Sequence, residues 1–197
     1  MMEEYGHLHI GVLAIQGDYE RHLHQLRQAG ARSRPVRLVA DLSGLDGLIL
    51  PGGESTTISK MIDRFDLREP LLQFADKKPV FGTCAGMIML ARSVADNQAS
   101  VRPLGLIDIE IARTAYGRQI HSFEAQVEAR LNGTVSTLEA TFIRAPMITR
   151  AGPAVKILAT HNDLPVLVSE RRALAASFHT ELGEDLLLLR YFLRTFC

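Results

Sequence analysis

Short uninterrupted apolar runs alternate along this chain with stretches in which apolar residues recur at helical spacing. His9 to Ile15 is a compact apolar strand. After the turn Gln16-Gly17-Asp18, the spacing predicts a helix over Tyr19 to Ala29, with Leu23 and Leu26 inward and Gly30 closing it. Pro35 to Val39 and Gly47 to Leu50 read as the next strands, the latter stopping at Pro51-Gly52-Gly53. Thr56 to Arg64 and Leu67 to Ala75 follow as helices, then Pro79 to Gly82 as a short buried strand and Ala85 to Ala95 as the helix behind it. Alternation of this kind implies an α/β fold, a three-layer sandwich whose mostly parallel central sheet is flanked by helices.

From Leu104 the character changes. Leu106 to Ile111 alternates apolar and polar, and β-like runs follow at Ser122 to Val127, Thr141 to Ile143, Val155 to Ala159, Pro165 to Ser169 and Ala173 to Phe178. These are expected to extend the sheet in a mixed or antiparallel way, with a last helix beginning near Glu184. No repeat, low-complexity tract or linker interrupts the pattern, so residues 1–197 read as one domain. That length buries a substantial core without metal or disulfide.

Composition mainly excludes. The 22 basic and 22 acidic residues balance, with no block of like charge, so the electrostatic footprint of nucleic-acid binders and membrane-surface proteins is missing. Met-Met-Glu-Glu-Tyr is acidic where a secretory signal is basic, Ile10 to Ile15 is too short for a signal core, and Leu186 to Leu189 breaks at Arg190. Two cysteines, Cys84 and Cys197, argue against a disulfide framework and fit a reducing compartment. The expectation is a soluble cytoplasmic protein.

Three segments carry candidate chemistry. In Val80-Phe81-Gly82-Thr83-Cys84-Ala85-Gly86 a strand runs through Gly-x-Cys-x-Gly into a helix, the thiol form of a nucleophile elbow. So sharp a turn needs glycine two residues before and two after the nucleophile. It would hold the sulfur at a helix N-terminus, where unpaired amides favour thiolate, and aim the Ala85 amide at a developing oxyanion. A thiol nucleophile needs a base and a group to orient that base. Of seven histidines, His179 stands out, because Ser177-Phe178-His179-Thr180-Glu181 follows an apolar strand and precedes a polar turn; in an extended segment residues two apart share a side, so Glu181 can lie beside His179 and fix its tautomer. His22-x-His24 is read as a pair of solvated helix positions and not as a metal site, since residues two apart do not share a helix face and no acidic or cysteine ligands accompany them. In Leu50-Pro51-Gly52-Gly53-Glu54-Ser55-Thr56-Thr57 a glycine pair frees backbone amides to approach a ligand, with Ser55 or Thr56 as a possible N-cap. A phosphate loop is absent, Lys60 being far out of register.

Taken in order, Gly-Leu-Ile-Leu-Pro-Gly-Gly-Glu-Ser-Thr-Thr, Phe-Gly-Thr-Cys-Ala-Gly, Gly117-Arg118-Gln119 with Ser122-Phe123-Glu124, Phe142-Ile143-Arg144-Ala145-Pro146 and Ser-Phe-His-x-Glu-Leu resemble the class I (triad) glutamine amidotransferases of flavodoxin-like fold. Within them they resemble the glutaminase subunits of the two-protein pyridoxal 5′-phosphate synthase. The resemblance runs from Ile10 to the final helix. It implies that Cys84 attacks the carboxamide of L-glutamine to give a glutamyl thioester, that His179 moves the protons, and that Glu181 orients His179. It also implies an oxyanion hole from the Ala85 amide and the Gly52-Gly53 loop, a donor of this kind being worth about 3 kcal/mol. Gly53, Glu54 and Ser55 would line the glutamine site, with Arg113 and the Ile143-Arg144 pair gripping its α-carboxylate and α-amino end, and Gln16 would lie near a partner interface. The partner would be a (β/α)8-barrel synthase subunit in a hetero-oligomer, receiving ammonia through a protected channel. No cofactor or metal is implied for this chain.

Three residues depart from the pattern: Thr180 stands where proline is usual, Thr114 where asparagine is usual, and His121 where an acid is more common. The residues leave three alternatives open. An amidotransferase serving another synthase is disfavoured by Phe142 to Pro146 and Glu54 to Thr57. A protease- or deglycase-like relative is disfavoured by His179-x-Glu181, and an inactive scaffold by the presence of all three triad residue types.

Overall fold

The first half of the chain forms β1 (His9–Leu13), α1 (Tyr19–Gln28), β2 (Arg32–Val36), β3 (Gly47–Leu50), α2 (Ser55–Arg64), α3 (Arg68–Lys77), β4 (Val80–Thr83) and α4 (Ala85–Leu90) in the computed structural model, which describes residues 4–95, 100–113 and 122–197. The second half adds β5 (Ala91–Val94), β6 (Ile107–Ala112), β7 (Phe123–Leu131), β8 (Thr134–Phe142), β9 (Met147–Ala151), β10 (Lys156–His161), β11 (Leu164–Glu170), β12 (Ala173–Ala176) and α5 (Leu187–Thr195). Thr114, His121 and Gly117-Arg118-Gln119 lie outside the described residues.

Nine strands make one sheet in the order β2-β1-β3-β4-β12-β11-β10-β7-β8. The first five run parallel, and β12, β11, β10, β7 and β8 pair antiparallel, which is the expected extension. Parallel strands buried on both faces read as continuous apolar runs, and their alternate residues feed two cores. Ile10, Val12, Ile49, Phe81 and Leu174 pack with Leu26 of α1 and Leu188 and Phe192 of α5. Leu48, Leu50, Val80, Ala173 and Ala175 pack with Ile58 and Ile62 of α2, Leu71 of α3 and Met87 and Leu90 of α4. Helices on both faces of the sheet complete the three-layer α/β sandwich. None of the described helices is long and apolar enough to cross a membrane.

Two antiparallel joins are two-residue turns of the kind that matches strand twist. Asn132 and Gly133 (φ 49° and 83°) connect the pair Leu131↔Thr134, and Asn162 and Asp163 (φ 49° and 63°) connect His161↔Leu164.

The structure departs from expectation in several places: β2 lies at Arg32–Val36, ahead of the predicted Pro35 to Val39, and β9 is not among the predicted strands. The helix predicted over Ala85 to Ala95 ends at Leu90, and Ala91–Val94 becomes a strand. All six residues of α4 are buried, so a further turn there would have to bury Arg92. The extended path leaves Arg92 exposed, 3.2 Å from Asp108. The run from Leu106 does not join the main sheet, because β6 pairs with β5 and β9 in a separate three-stranded sheet that covers the second core. Finally, β8 begins at Thr134, well before the predicted Thr141, its outer residues other than Val135 being polar where it skirts solvent.

Candidate active site

The carboxyl ends of β3 and β4 converge on Cys84. Its backbone sits at φ 49° and ψ −107°, a conformation that costs an L-residue of order 1–3 kcal/mol. The surroundings enforce it: the Cys84 amide donates to the Ala176 carbonyl at 2.8 Å, and neither flanking glycine tolerates a side chain. A Cβ on Gly82 would stand 2.6 Å from the Gly86 carbonyl, and one on Gly86 only 2.0 Å from the Leu50 carbonyl oxygen. The elbow therefore packs directly on the end of β3. Cys84 Sγ lies 3.8 Å from the Ile143 carbonyl oxygen.

His179 is fixed through its backbone, which pairs with Thr141 at the end of β8 (His179 N to Thr141 O 2.8 Å). Its Nδ1 is 2.6 Å from Glu181 Oε1. Glu181 accepts only, so Nδ1 carries the hydrogen and Nε2 is left for the thiol. Burial works against charge on His179, but the neighbouring Cys84 and the Glu181 carboxylate outweigh that and lift its pKa to about 10. Burial likewise opposes ionisation of Glu181, and His22 and His179 overcome it, holding the carboxyl far below its usual range.

The Gly52-Gly53 loop closes the other side. A Cβ on Gly52 would fall 2.4 Å from His179 Cε1 and 3.4 Å from Cys84 Cβ. At Gly53 (φ 154°) it would fall 2.2 Å from Gln16 Oε1, which accepts from the Glu54 amide at 2.8 Å. Glu54 caps α2, accepting from the Thr56 and Thr57 amides at 3.0 and 2.7 Å and from the Thr57 hydroxyl at 2.8 Å. These donors override the effect of burial and bring its pKa down to about 2. Arg113 reaches to 3.9 Å from Glu54 Oε1, while its Nη1 is buried with no hydrogen-bond partner among the described residues.

A thiol and a hydrogen-bonded imidazole–carboxylate pair, gathered beside a glycine loop, match what comparison with known proteins returns. The model of the SNO glutamine amidotransferase family matches residues 12–197. The chain belongs to this family. Among relatives, it is 49% identical over 188 residues to the pyridoxal 5′-phosphate synthase subunit PdxT of Deinococcus radiodurans, covering 93% of this chain and 95% of that one. It is 46% identical over 185 residues to the PdxT subunit of Geobacillus thermodenitrificans, covering 93% of each. A solved glutamine amidotransferase superposes with TM-score 0.88 at 41% identity, over 94% of this chain and 97% of the other. PurLQS of Thermotoga maritima, at 14% identity and TM-score 0.71, shares the fold.

In this glutamine amidotransferase the predicted residues come together unevenly. Cys84, His179, Glu181, Gly52 and the Ile143 carbonyl meet, and Gly53 and Glu54 continue the same loop. Ala85 is the first residue of α4, where an amide has no partner within the helix. Ser55 is buried at the start of α2, whereas Arg144 is exposed with φ 45°. His22 corrects the sequence reading: it is 2% exposed and faces Glu181, while His24 is exposed as expected. The missed signal is the spacing of His22, Gln25, Leu26 and Ala29, all buried, which puts two polar residues on the inward stripe of α1. A cavity of about 610 Å³ between the β7–β8 turn and α5 lies away from these residues and holds no cysteine or histidine.

Proposed function

We propose that the chain hydrolyses L-glutamine to L-glutamate and ammonia at Cys84 and passes the ammonia to the synthase subunit of a pyridoxal 5′-phosphate synthase. The observation that carries this is that Cys84 and His179 meet beside a loop where only glycine fits, with His179 hydrogen-bonded to a fully buried Glu181. The sulfur attacks the carboxamide carbon, and the carbonyl electron pair moves onto oxygen. His179, which already holds the proton given up by the Cys84 thiol, delivers it to the leaving nitrogen, so ammonia departs and a glutamyl thioester remains. Water then attacks the thioester carbon, giving its proton to His179, and collapse expels the Cys84 sulfur with glutamate. The oxyanion is held by the Ala85 amide and one from Gly52-Gly53, each donor contributing about 3 kcal/mol to the transition state.

Gly53, Glu54, Ser55, Arg113, Ile143 and Arg144 line the substrate. Glu54 is occupied by the first turn of α2, so Arg113 Nη1, without a hydrogen-bond partner among the described residues, is available to a carboxylate such as the α-carboxylate of glutamine. The Ile143–Arg144 pair completes the grip on the amino-acid end. The pathway rests on relatives named as pyridoxal 5′-phosphate synthase subunits at nearly full length. Ammonia is protonated or lost in bulk water, so the docked (β/α)8-barrel subunit encloses its route.

The test is glutamate release from glutamine with and without that barrel subunit, for wild type and Cys84→Ser. The reading expects hydrolysis that requires both thiol and partner. Hydrolysis indifferent to this partner would move the pathway elsewhere, and none from folded, partner-bound protein would end the catalytic reading.

A further inference from the structure

We propose that His22 is a positioning residue for this site, its Nε2–H holding Glu181 against His179 and tying that carboxylate to the strand that carries the nucleophile. The inference rests on the triad reading above and adds to it a fourth side chain, from α1. His22 Nε2 lies 3.5 Å from Glu181 Oε1 and 3.3 Å from Thr83 Oγ1, and Thr83 is the last residue of β4, next to Cys84. One imidazole thus touches both ends of the catalytic line.

The electrostatics require a donor there. The Glu181 side chain is 0% exposed, and its Oε2 has no hydrogen-bond partner among the described residues. All the support for its charge therefore falls on Oε1, which faces His179 Nδ1 at 2.6 Å and His22 Nε2. Among the described residues these two imidazoles, one from its own segment and one from α1, are the titratable groups that face it. A buried carboxylate short of donors tends to take up a proton, and a protonated Glu181 would no longer stabilise an imidazolium at His179. An Nε2 without hydrogen would set its lone pair against the carboxylate, so Nε2 carries a hydrogen. The 3.5 Å separation is long, as catalytic contacts often are before substrate arrives.

Steady-state glutaminase kinetics with the synthase subunit present, across about pH 5 to 9, separate this role from space-filling. The set is wild type, Cys84→Ser, His22→Leu and His22→Gln, with thermal unfolding followed alongside. In His22→Leu, kcat should fall about tenfold with the KM for glutamine nearly unchanged. Its acid limb should move to higher pH, because Glu181 has lost a donor that favours its anion. His22→Gln, whose amide nitrogen can reach the place of Nε2, should recover most of kcat and the original limb. Equal losses in both variants with an unmoved pH profile would overturn the proposal, as would unaltered kinetics in both. If wild type itself releases no glutamate, the glutaminase reading fails. The His22 assignment is then decided without turnover, by nitrogen-15 NMR of the wild-type imidazoles. A protonated Nε2 at His22 supports it, and a bare Nε2 overturns it. The same spectrum decides the matter if His22→Leu does not fold.

Discussion

A single methyl group decides whether Gly52 can do its work. Added there, it would enter the His179 ring at Cε1 and crowd Cys84 Cβ, while the main cores stay untouched. Gly52→Ala should therefore keep its thermal midpoint within a few degrees and lose about a hundredfold in glutamine turnover, the cost of a displacement near 1 Å at reacting groups. A matched loss of stability and turnover would show that the loop acts only as structure. At Gly86 the expectation is the opposite in kind: a Cβ 2.0 Å from the Leu50 carbonyl oxygen cannot be accommodated without moving β3. Gly86→Ala should destabilise the fold by about 1–3 kcal/mol or more in denaturant titration. The His179–Glu181 pair also sets a pH window. His179 has its pKa raised from 6.5 to about 10, so its contribution to stability is complete below about 6.5 and disappears as pH rises through about 10. Glu181 has its pKa lowered, so its contribution is present above 4.5 and is lost as pH falls. The stability difference between wild type and Glu181→Gln should accordingly be larger at neutral pH than near pH 10. A difference that does not change over that interval would mean His179 is not charged in the folded protein.

Among the elements, α1 has a role beyond covering the sheet. Gln25 Nε2 donates to the carbonyls of Thr180 and Gly183 at 2.9 and 3.1 Å, on either side of Glu181. Thr180, where proline is usual, is thus held by α1. Gln25→Leu fits the apolar face but leaves both carbonyls short of a donor, and should cost about 1–3 kcal/mol in urea unfolding, with a fall in glutaminase kcat. Unchanged stability would mean that water replaces the amide at no cost. This segment also marks the limit of what the sequence discloses. The elbow was legible because a turn that tight admits only glycine at Gly82 and Gly86, and the Gly52-Gly53 loop because it ends an apolar strand abruptly. His179 and Glu181 were legible through two-residue spacing in an extended segment, and their side chains do meet. His22 was not, since a histidine in a polar helix reads as outward until the elements facing it are known. β9 was not, because Ile148 is its only fully buried residue and no alternation announces it. The end of α4 was hidden because Ala91-Arg92-Ser93-Val94 becomes a strand only when β6 is present to pair with it.

In the whole molecule, the two cores bear on the site differently. The core under α1 and α5 continues into the antiparallel extension, where Leu138, Ala140 and Phe142 of β8 pack and Phe142 meets Phe178 at 5.5 Å between ring centroids. That packing sets the height of Thr141, and Thr141 holds the His179 backbone. The other core includes α3, which contributes no candidate site residue. Leu138 and Leu71 are comparably buried, at 1% and 2% exposure, so truncating either should remove similar stability, about 2–5 kcal/mol. Turnover should not follow stability. At a temperature where both variants are folded, Leu138→Ala should lower glutaminase kcat, because the bridge that positions His179 loosens with β8, whereas Leu71→Ala should leave kcat near wild type. The comparison needs denaturation curves for the two variants and kcat for each with the synthase subunit present. If both lose turnover in proportion to stability, the antiparallel extension has no particular hold on the site and His179 is kept in place by Glu181 alone. If only Leu138→Ala does, the extension is part of the catalytic apparatus, and the parallel half, which carries Cys84 and the Gly52-Gly53 loop, depends on it for its base.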